Sequence, residues 1–193
     1  RRGHPYITHT IGPLLHIMDE RVTTVSCMAS GRAFDMPADS TCALMLKTEK
    51  NHLIRLRASF VSPRPDNVTD YSFQGTEGCS QAPQGPTDFH KVYVKGLCRP
   101  GEWKNVYEFK DLVSDEWRRY WNAGDYGAGS LDNDTYALYD SGALMMLERF
   151  ADCVLTGKPA PVSFEDAANW TAAGLLSADS VNLGSIPVDV PQF

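Results

Sequence analysis

Between positions 52 and 61 apolar and polar side chains alternate. Ile54, Leu56, Ala58 and Phe60 are interleaved with Arg55, Arg57 and Ser59. A period of two puts each set on its own face of a β-strand, so one face is buried and the other wet. A chain holding such a strand must pair it with others and must cover its apolar side. Residues 41–48 follow a Pro/Asp/Ser turn cluster and read as a second strand. The turn at Lys50-Asn51 predicts that the two form a hairpin. Residues 21–29 are rich in β-branched side chains, and residues 71–73, 91–97 and 106–109 are further strand candidates. Residues 75–86, rich in Gly, Gln and Pro, read as an exposed turn and loop.

The ends of the chain have a different period. Ile11, Leu14, Leu15 and Met18 recur at helical spacing, which predicts a short helix over residues 8–18 with Pro13 in its first turn. In the last third, Leu144, Leu147, Ala151 and Val154 predict a helix that Gly157 caps and that Pro159 and Pro161 keep from continuing. Ser163-Phe164-Glu165-Asp166 has the form of a capping box, opening a helix that runs to about Leu183. The tail from Ile186 to Pro191 is extended and reads as a Pro-limited edge strand. Helix, strands, then helices is the α+β order: an open, largely antiparallel or mixed β-sheet with helices packed on one face.

Composition narrows the function classes. The 193 residues are 42% apolar and 22% charged, an ordinary globular balance that predicts one domain over residues 1–193. The net charge of −6 argues against nucleic acid as a partner. No apolar run approaches the roughly 20 residues of a membrane span. Cys27, Cys42, Cys79, Cys98 and Cys153 form no CxxC pair, which points to reduced structural thiols rather than a metal site or a disulfide framework. The three Asn-x-Thr matches at Asn67, Asn133 and Asn169 read as chance rather than glycosylation signals. The chain starts Arg1-Arg2-Gly3, with no Met and no apolar signal core, so it is expected to be a fragment or a trimmed form.

Nothing in the chain reads as a nucleotide cradle. Gly124-Asp125-Tyr126-Gly127-Ala128-Gly129 runs GxxGxG with no apolar strand before it, the pattern of a flexible loop. No P-loop, HExxH or GxSxG motif is present. The candidate chemistry lies at the start. His4, Tyr6, His9 and His16 fall within thirteen residues, and Tyr6 and His9 stand at the opening of the first helix. An imidazole there suits a general base, and a tyrosine beside it can relay a proton or hold a substrate oxygen. The bland alternative is a set of polar residues at a chain end; His16, deeper in the helix, reads as structural. Arg64, held between Pro63 and Pro65, can present a guanidinium to anions or sugar hydroxyls, or is an ordinary turn arginine. Trp117, Tyr120, Trp121 and Tyr126, with Arg118, Arg119 and Asp125, can form a sugar-stacking wall or pack under a loop.

These residues carry a resemblance. Tyr6-Ile7-Thr8-His9-Thr10-Ile11-Gly12-Pro13, Ser62-Pro63-Arg64-Pro65 with Gln74-Gly75-Thr76-Glu77-Gly78, the helix from Gly142 to Gly157, and Asp166-Ala167-Ala168-Asn169-Trp170-Thr171-Ala172 through Ser177 and Ser180 to Phe193 span nearly the whole chain. Together they resemble the C-terminal domain of the glucose-fructose oxidoreductase / inositol dehydrogenase (Gfo/Idh/MocA) family. The first two stretches are similar to its NAD-dependent glycoside hydrolases of the α-N-acetylgalactosaminidase type. Pro5 stands where the family's dehydrogenases carry Asp, and Asp140-Ser141-Gly142 where the hydrolases carry His-Gly-Gly.

The resemblance implies an open antiparallel sheet with helices on one side, a substrate pocket and a homodimer or higher oligomer through the sheet. It implies an N-terminal Rossmann domain, absent from this chain, that holds NAD or NADP. His9 matches the family's proton-transferring histidine, with Tyr6 assisting; Arg64, His4, Trp121 and Tyr126 are the expected substrate-binding residues. The expected function is a substrate-binding and oligomerisation domain of an NAD(P)-dependent sugar or cyclitol oxidoreductase. The alternatives are an NAD-dependent glycoside hydrolase and a non-catalytic dimeric binding module. The expected location is cytoplasmic, with no metal.

Overall fold

A computed structural model describes residues 2–4, 6–63, 70–85, 87–115 and 135–193. In chain order the elements are α1 (Thr8–Met18), β1 (Val22–Ala29), β2 (Thr41–Thr48), β3 (Leu53–Ser59), β4 (Ser72–Gln74), β5 (Gly78–Gln81), β6 (Lys91–Val94), β7 (Lys104–Asn105), a 3₁₀ helix (Val106–Leu112), α2 (Thr135–Thr156), α3 (Phe164–Asn182) and β8 (Val188–Asp189). They fall into two compact units, Arg1–Pro63 with Pro159–Phe193, and Arg64–Lys158.

The first unit is an antiparallel sheet of order β3-β2-β1-β8 with α1 and α3 on one face, the expected α+β architecture. Alternation builds it. Cys42, Leu44, Leu46 and Thr48 of β2 point inward, while Ala43, Met45 and Lys47 point out. The β2–β3 hairpin turns as expected at Lys50-Asn51, where Asn51 takes a left-handed φ of 66° and the Thr48 N–H reaches the His52 carbonyl at 3.0 Å. A register shift between Val22 and Thr24 breaks the alternation of β1. Val22 and Val25, an odd number of residues apart, therefore both enter the core. The tail closes the sheet as β8, a two-residue edge strand antiparallel to β1.

Helix α3 fits β1 through polar as well as apolar contacts. Its N-terminus is the expected capping box: Ser163 Oγ accepts from the Asp166 N–H at 3.0 Å, and Asp166 Oδ2 accepts from the Ser163 N–H at 3.1 Å. Asn169, fully buried, holds the Val22 peptide at both ends. Its Oδ1 accepts from the Val22 N–H and its Nδ2 donates to the Val22 carbonyl, each at 2.9 Å. Five residues further along β1, Ser180 Oγ accepts from the Cys27 N–H at 2.9 Å and donates to the Ile186 carbonyl at 2.7 Å. With both side-chain ends engaged in the core, Asn169 is no glycosylation acceptor; Asn67 and Asn133 lie outside the described residues.

The second unit carries an antiparallel meander of order β4-β5-β6-β7. Three local expectations change. Residues 75–86 are not all loop, because β5 runs through them. Gly78 makes this possible: a Cβ there would stand 2.5 Å from the Tyr93 carbonyl oxygen on β6. Residues 106–109 are not a strand but open the 3₁₀ helix, because Asn105 and Glu108 form a capping box in which Asn105 Oδ1 accepts from the Tyr107 N–H at 3.1 Å and Glu108 Oε1 from the Asn105 N–H at 2.9 Å. In the first unit, Pro13 lies inside α1 rather than in its first turn. Its ring carries no N–H to add to the helical hydrogen bonds. The C-terminus of α2 is as expected, with Gly157 at φ 71° donating to the Cys153 carbonyl at 2.9 Å. Among the described residues no helix is long and apolar enough to cross a membrane.

Two stability outcomes follow from this packing. Asn169→Ala strands the Val22 N–H in the core and should cost about 2–3 kcal/mol, read from urea unfolding midpoints. Glu20, at the α1–β1 junction, is buried with Oε1 2.8 Å from His52 Nδ1 and 3.9 Å from Lys50 Nζ. Burial pushes its carboxyl up, but hydrogen bonds from Thr48 and His52 and the charges of His52 and Lys50 outweigh this and hold it below the usual range. A depressed folded-state value stabilises above the unfolded value and is lost as pH falls through the folded one. The Tm of the native chain should therefore fall more steeply below about pH 4.3 than that of Glu20→Gln.

Candidate functional site

The segment ahead of α1 is held by residues far away in sequence. Gly3 adopts a left-handed φ of 71°, and its N–H donates to Asp39 Oδ2 at 2.6 Å. A Cβ at Gly3 would stand 2.5 Å from both the Ala178 nitrogen and Ser177 Oγ, so only glycine fits against α3 here. The next N–H, that of His4, donates to Ser177 Oγ at 2.8 Å, and the Ser177 hydroxyl in turn donates to the Gly174 carbonyl at 2.6 Å. The His4 ring is buried and meets Phe60 edge-on, with centroids 5.1 Å apart. Burial pushes its imidazole down, toward the neutral form.

Ile7 is fully buried, and its carbonyl accepts from the N–H groups of Thr10 and Ile11, both at 2.9 Å, which starts α1. Between buried His4 and buried Ile7, Tyr6 turns outward and is 58% exposed. His9, exposed on the first turn, packs its ring against that of Tyr6 at a centroid distance of 4.5 Å and a tilt of 40°. Further along, α1 presses on α3 at Gly12, where a Cβ would stand 3.0 Å from Trp170 Cζ3.

The structure thus brings Tyr6 and His9 together and gives His4 a different place, in the anchor beneath them. His16 is exposed and borders a shallow pocket of about 40 Å³ with Asp19, Glu20, Asp166 and Trp170. Arg64, Trp121 and Tyr126, with Trp117, Arg118, Arg119, Tyr120 and Asp125, lie outside the described residues. Sequence reasoning gave Asp39 and Ser177 no role here. Asp39 sits in a Pro/Asp/Ser cluster that reads only as a turn, and Ser177 lies within a helix whose apolar spacing draws attention elsewhere.

A tyrosine and an imidazole in ring contact at a helix opening can hold and pass a proton to a ligand above them. A dinucleotide cradle is another matter. Such a cradle needs a strand, a glycine-rich turn and a crossover helix within a parallel pair, and both sheets among the described residues are antiparallel. Among the described residues no such strand–turn–helix unit is present.

Fold and comparison agree on the class: a C-terminal domain of the Gfo/Idh/MocA type. Residues 33–193 match the family described as Glycosyl hydrolase 109, C-terminal domain, and the chain belongs to that family. It is 29% identical to a glycosyl hydrolase family 109 protein of Saccharopolyspora erythraea, over 99% of this chain and 42% of that protein. It is 25% identical to an alpha-N-acetylgalactosaminidase of Tannerella forsythia, over 100% of this chain and 43% of that protein. The chain thus spans less than half the length of these relatives. Among solved structures, levoglucosan dehydrogenase in complex with NADH and levoglucosan shares the fold, with a TM-score of 0.65 and 16% identity over 97% of this chain and 50% of that one.

Proposed function

We propose that the chain is the substrate-binding domain of an NAD-dependent glycoside hydrolase, in which His9 and Tyr6 transfer protons at the sugar. The observation that carries this reading is the Tyr6–His9 ring contact on the exposed opening of α1, in a chain of the glycosyl hydrolase 109 C-terminal family. Hydride chemistry belongs, in this reading, to a nicotinamide nucleotide bound outside the described residues. This chain's part is to receive and return a proton at the His9 imidazole, with the Tyr6 hydroxyl orienting the sugar oxygen or relaying the proton. Arg64, Trp121 and Tyr126 are further proposed sugar-binding residues.

A second reading is net oxidation of a sugar or cyclitol, with His9 taking the hydroxyl proton. It is favoured by the likeness in fold to a dehydrogenase in complex with NADH and levoglucosan. One experiment separates the two in the full-length protein. Release of nitrophenol from nitrophenyl α-N-acetylgalactosaminide without net NADH is expected for the hydrolase. Steady NADH production from a free sugar marks the dehydrogenase. In either case His9→Ala should lower kcat by about 10²-fold or more, and near-native turnover in that variant would remove the assignment.

A second copy of the chain is proposed to cover the outer face of the first sheet. Met28 and Leu53, each 69% exposed, and Met45 stand there beside Arg55 and Arg57. Sedimentation velocity at tens of micromolar should show a dimer that Met28→Glu with Met45→Glu dissociates. A wild-type monomer under those conditions would exclude this face as the contact.

A further inference from the structure

We propose that Asp39 and Ser177 form a clamp that positions the Tyr6–His9 pair, a role that rests on the reading of His9 as the proton-transfer residue. Two consecutive backbone donors, those of Gly3 and His4, are each bound by a side chain from a distant part of the chain. Asp39 comes from the β1–β2 loop, 36 residues along from Gly3, and Ser177 from α3, 173 residues along from His4. Both anchors are themselves buried. Asp39 is 1% exposed and Ser177 is fully buried. The loop that carries Asp39 is pinned at its neighbour, where the Ser40 N–H reaches the Gly31 carbonyl at 2.9 Å and Ser40 Oγ accepts from the Ala33 N–H at 2.6 Å.

The chemistry of the clamp favours stiffness. A carboxylate accepting a backbone N–H makes a hydrogen bond roughly twice as strong as a neutral one. Asp39 Oδ1 is buried with no hydrogen-bond partner among the described residues, so the carboxylate directs its bonding through Oδ2 onto Gly3. The segment cannot withdraw from α3 without losing the bond from His4 to Ser177, and Gly3 already lies so close to α3 that no Cβ fits in the gap. Tyr6 follows only two residues after His4, and Ile7 is locked into the core on its other side. The direction in which Tyr6 leaves the surface, and hence its contact with His9, is fixed from both ends. Such placement matters because a misplacement of about 1 Å at a reacting group costs about 10²-fold in rate.

The test uses the full-length protein with isotope-labelled histidine and three variants, Asp39→Ala, Asp39→Asn and Ser177→Ala. The clamp predicts that Asp39→Ala moves and broadens the His9 ring resonances and lowers kcat about 10-fold or more, with KM changed less than kcat. Asp39→Asn, which keeps an acceptor for the Gly3 N–H, should restore most of both. In a His9→Ala background the further loss from Asp39→Ala should vanish, which a general loss of stability would not produce. Should Asp39→Ala not fold, Ser177→Ala carries the same measurements. A folded clamp variant with unmoved His9 resonances would overturn the proposal, as would an equal fold-loss in the His9→Ala background. If the native protein shows no turnover sensitive to His9→Ala, the proton-transfer reading fails, while the resonances still decide whether the clamp positions the pair.

Discussion

Burying backbone on both sides of α3 creates an obligation to satisfy its polar groups, and three side chains of that helix meet it. Asn169 takes both ends of the Val22 peptide, Ser180 takes the Cys27 N–H, and Ser177 takes the His4 N–H. β1 needs this help because of its own irregularity. The register shifts between Val22 and Thr24, and at Val22 a helix side chain supplies the partner of the backbone N–H. Without Asn169 the bulge would leave an orphan donor in the core, and without the bulge Val22 and Val25 could not both be buried. Sheet, helix and entering segment are coupled through one polar seam, while Ile11, Leu15, Leu44 and Leu46 supply the apolar bulk around it.

That seam marks the limit of what the sequence discloses. The period of two in residues 52–61, the hairpin at Lys50-Asn51 and the capping box at Ser163 are local signals with local causes, and each appears in the structure, although the strand stops at Ser59 and leaves Phe60, expected on its buried face, 48% exposed beyond it. The Val22 bulge is not local. It is written in the pairing of β1 with β2 and α3, and residues 21–29 taken alone show only β-branched side chains. Asn169 and Ser177 break the apolar rhythm of their helix, and periodicity treats such residues as interruptions rather than as contacts. The strand expected at residues 106–109 failed because Val, Tyr and Phe favour strands, yet Asn105 and Glu108 cap a helical turn more strongly. Gly78 looked like loop composition until the approach of Tyr93 gave its missing side chain a purpose.

The candidate site was legible in part for the same reason. Tyr6 and His9 are three residues apart, a spacing that a helix opening brings into contact, so their pairing could be read from the chain itself. His4 shares their chemistry but not their environment, since its burial against Phe60 depends on a residue at the end of β3. Asp39 had no local mark at all; only the folded chain shows a turn aspartate meeting Gly3. Residue type suggests what a group can do, and long-range packing decides which group is placed to do it.

The proposed function implies a division of labour. Antiparallel sheets offer no crevice at parallel strand ends and no crossover helix opening toward a pyrophosphate. What they offer is a stiff layer against which a helix opening can be fixed. The arrangement of His4 inward, Tyr6 outward and Ile7 inward uses that layer directly. Two buried anchors flank one presented side chain, and the first turn of α1 brings His9 to it. A site built this way pays its ordering entropy in folding rather than at each encounter with a ligand. Net oxidation and hydrolysis at a sugar make the same demand of such a site, a proton acceptor and a hydroxyl donor held in fixed relation. Under the role proposed for Tyr6 and His9, a change of reaction within this fold requires new groups around the sugar, not a new arrangement of that pair.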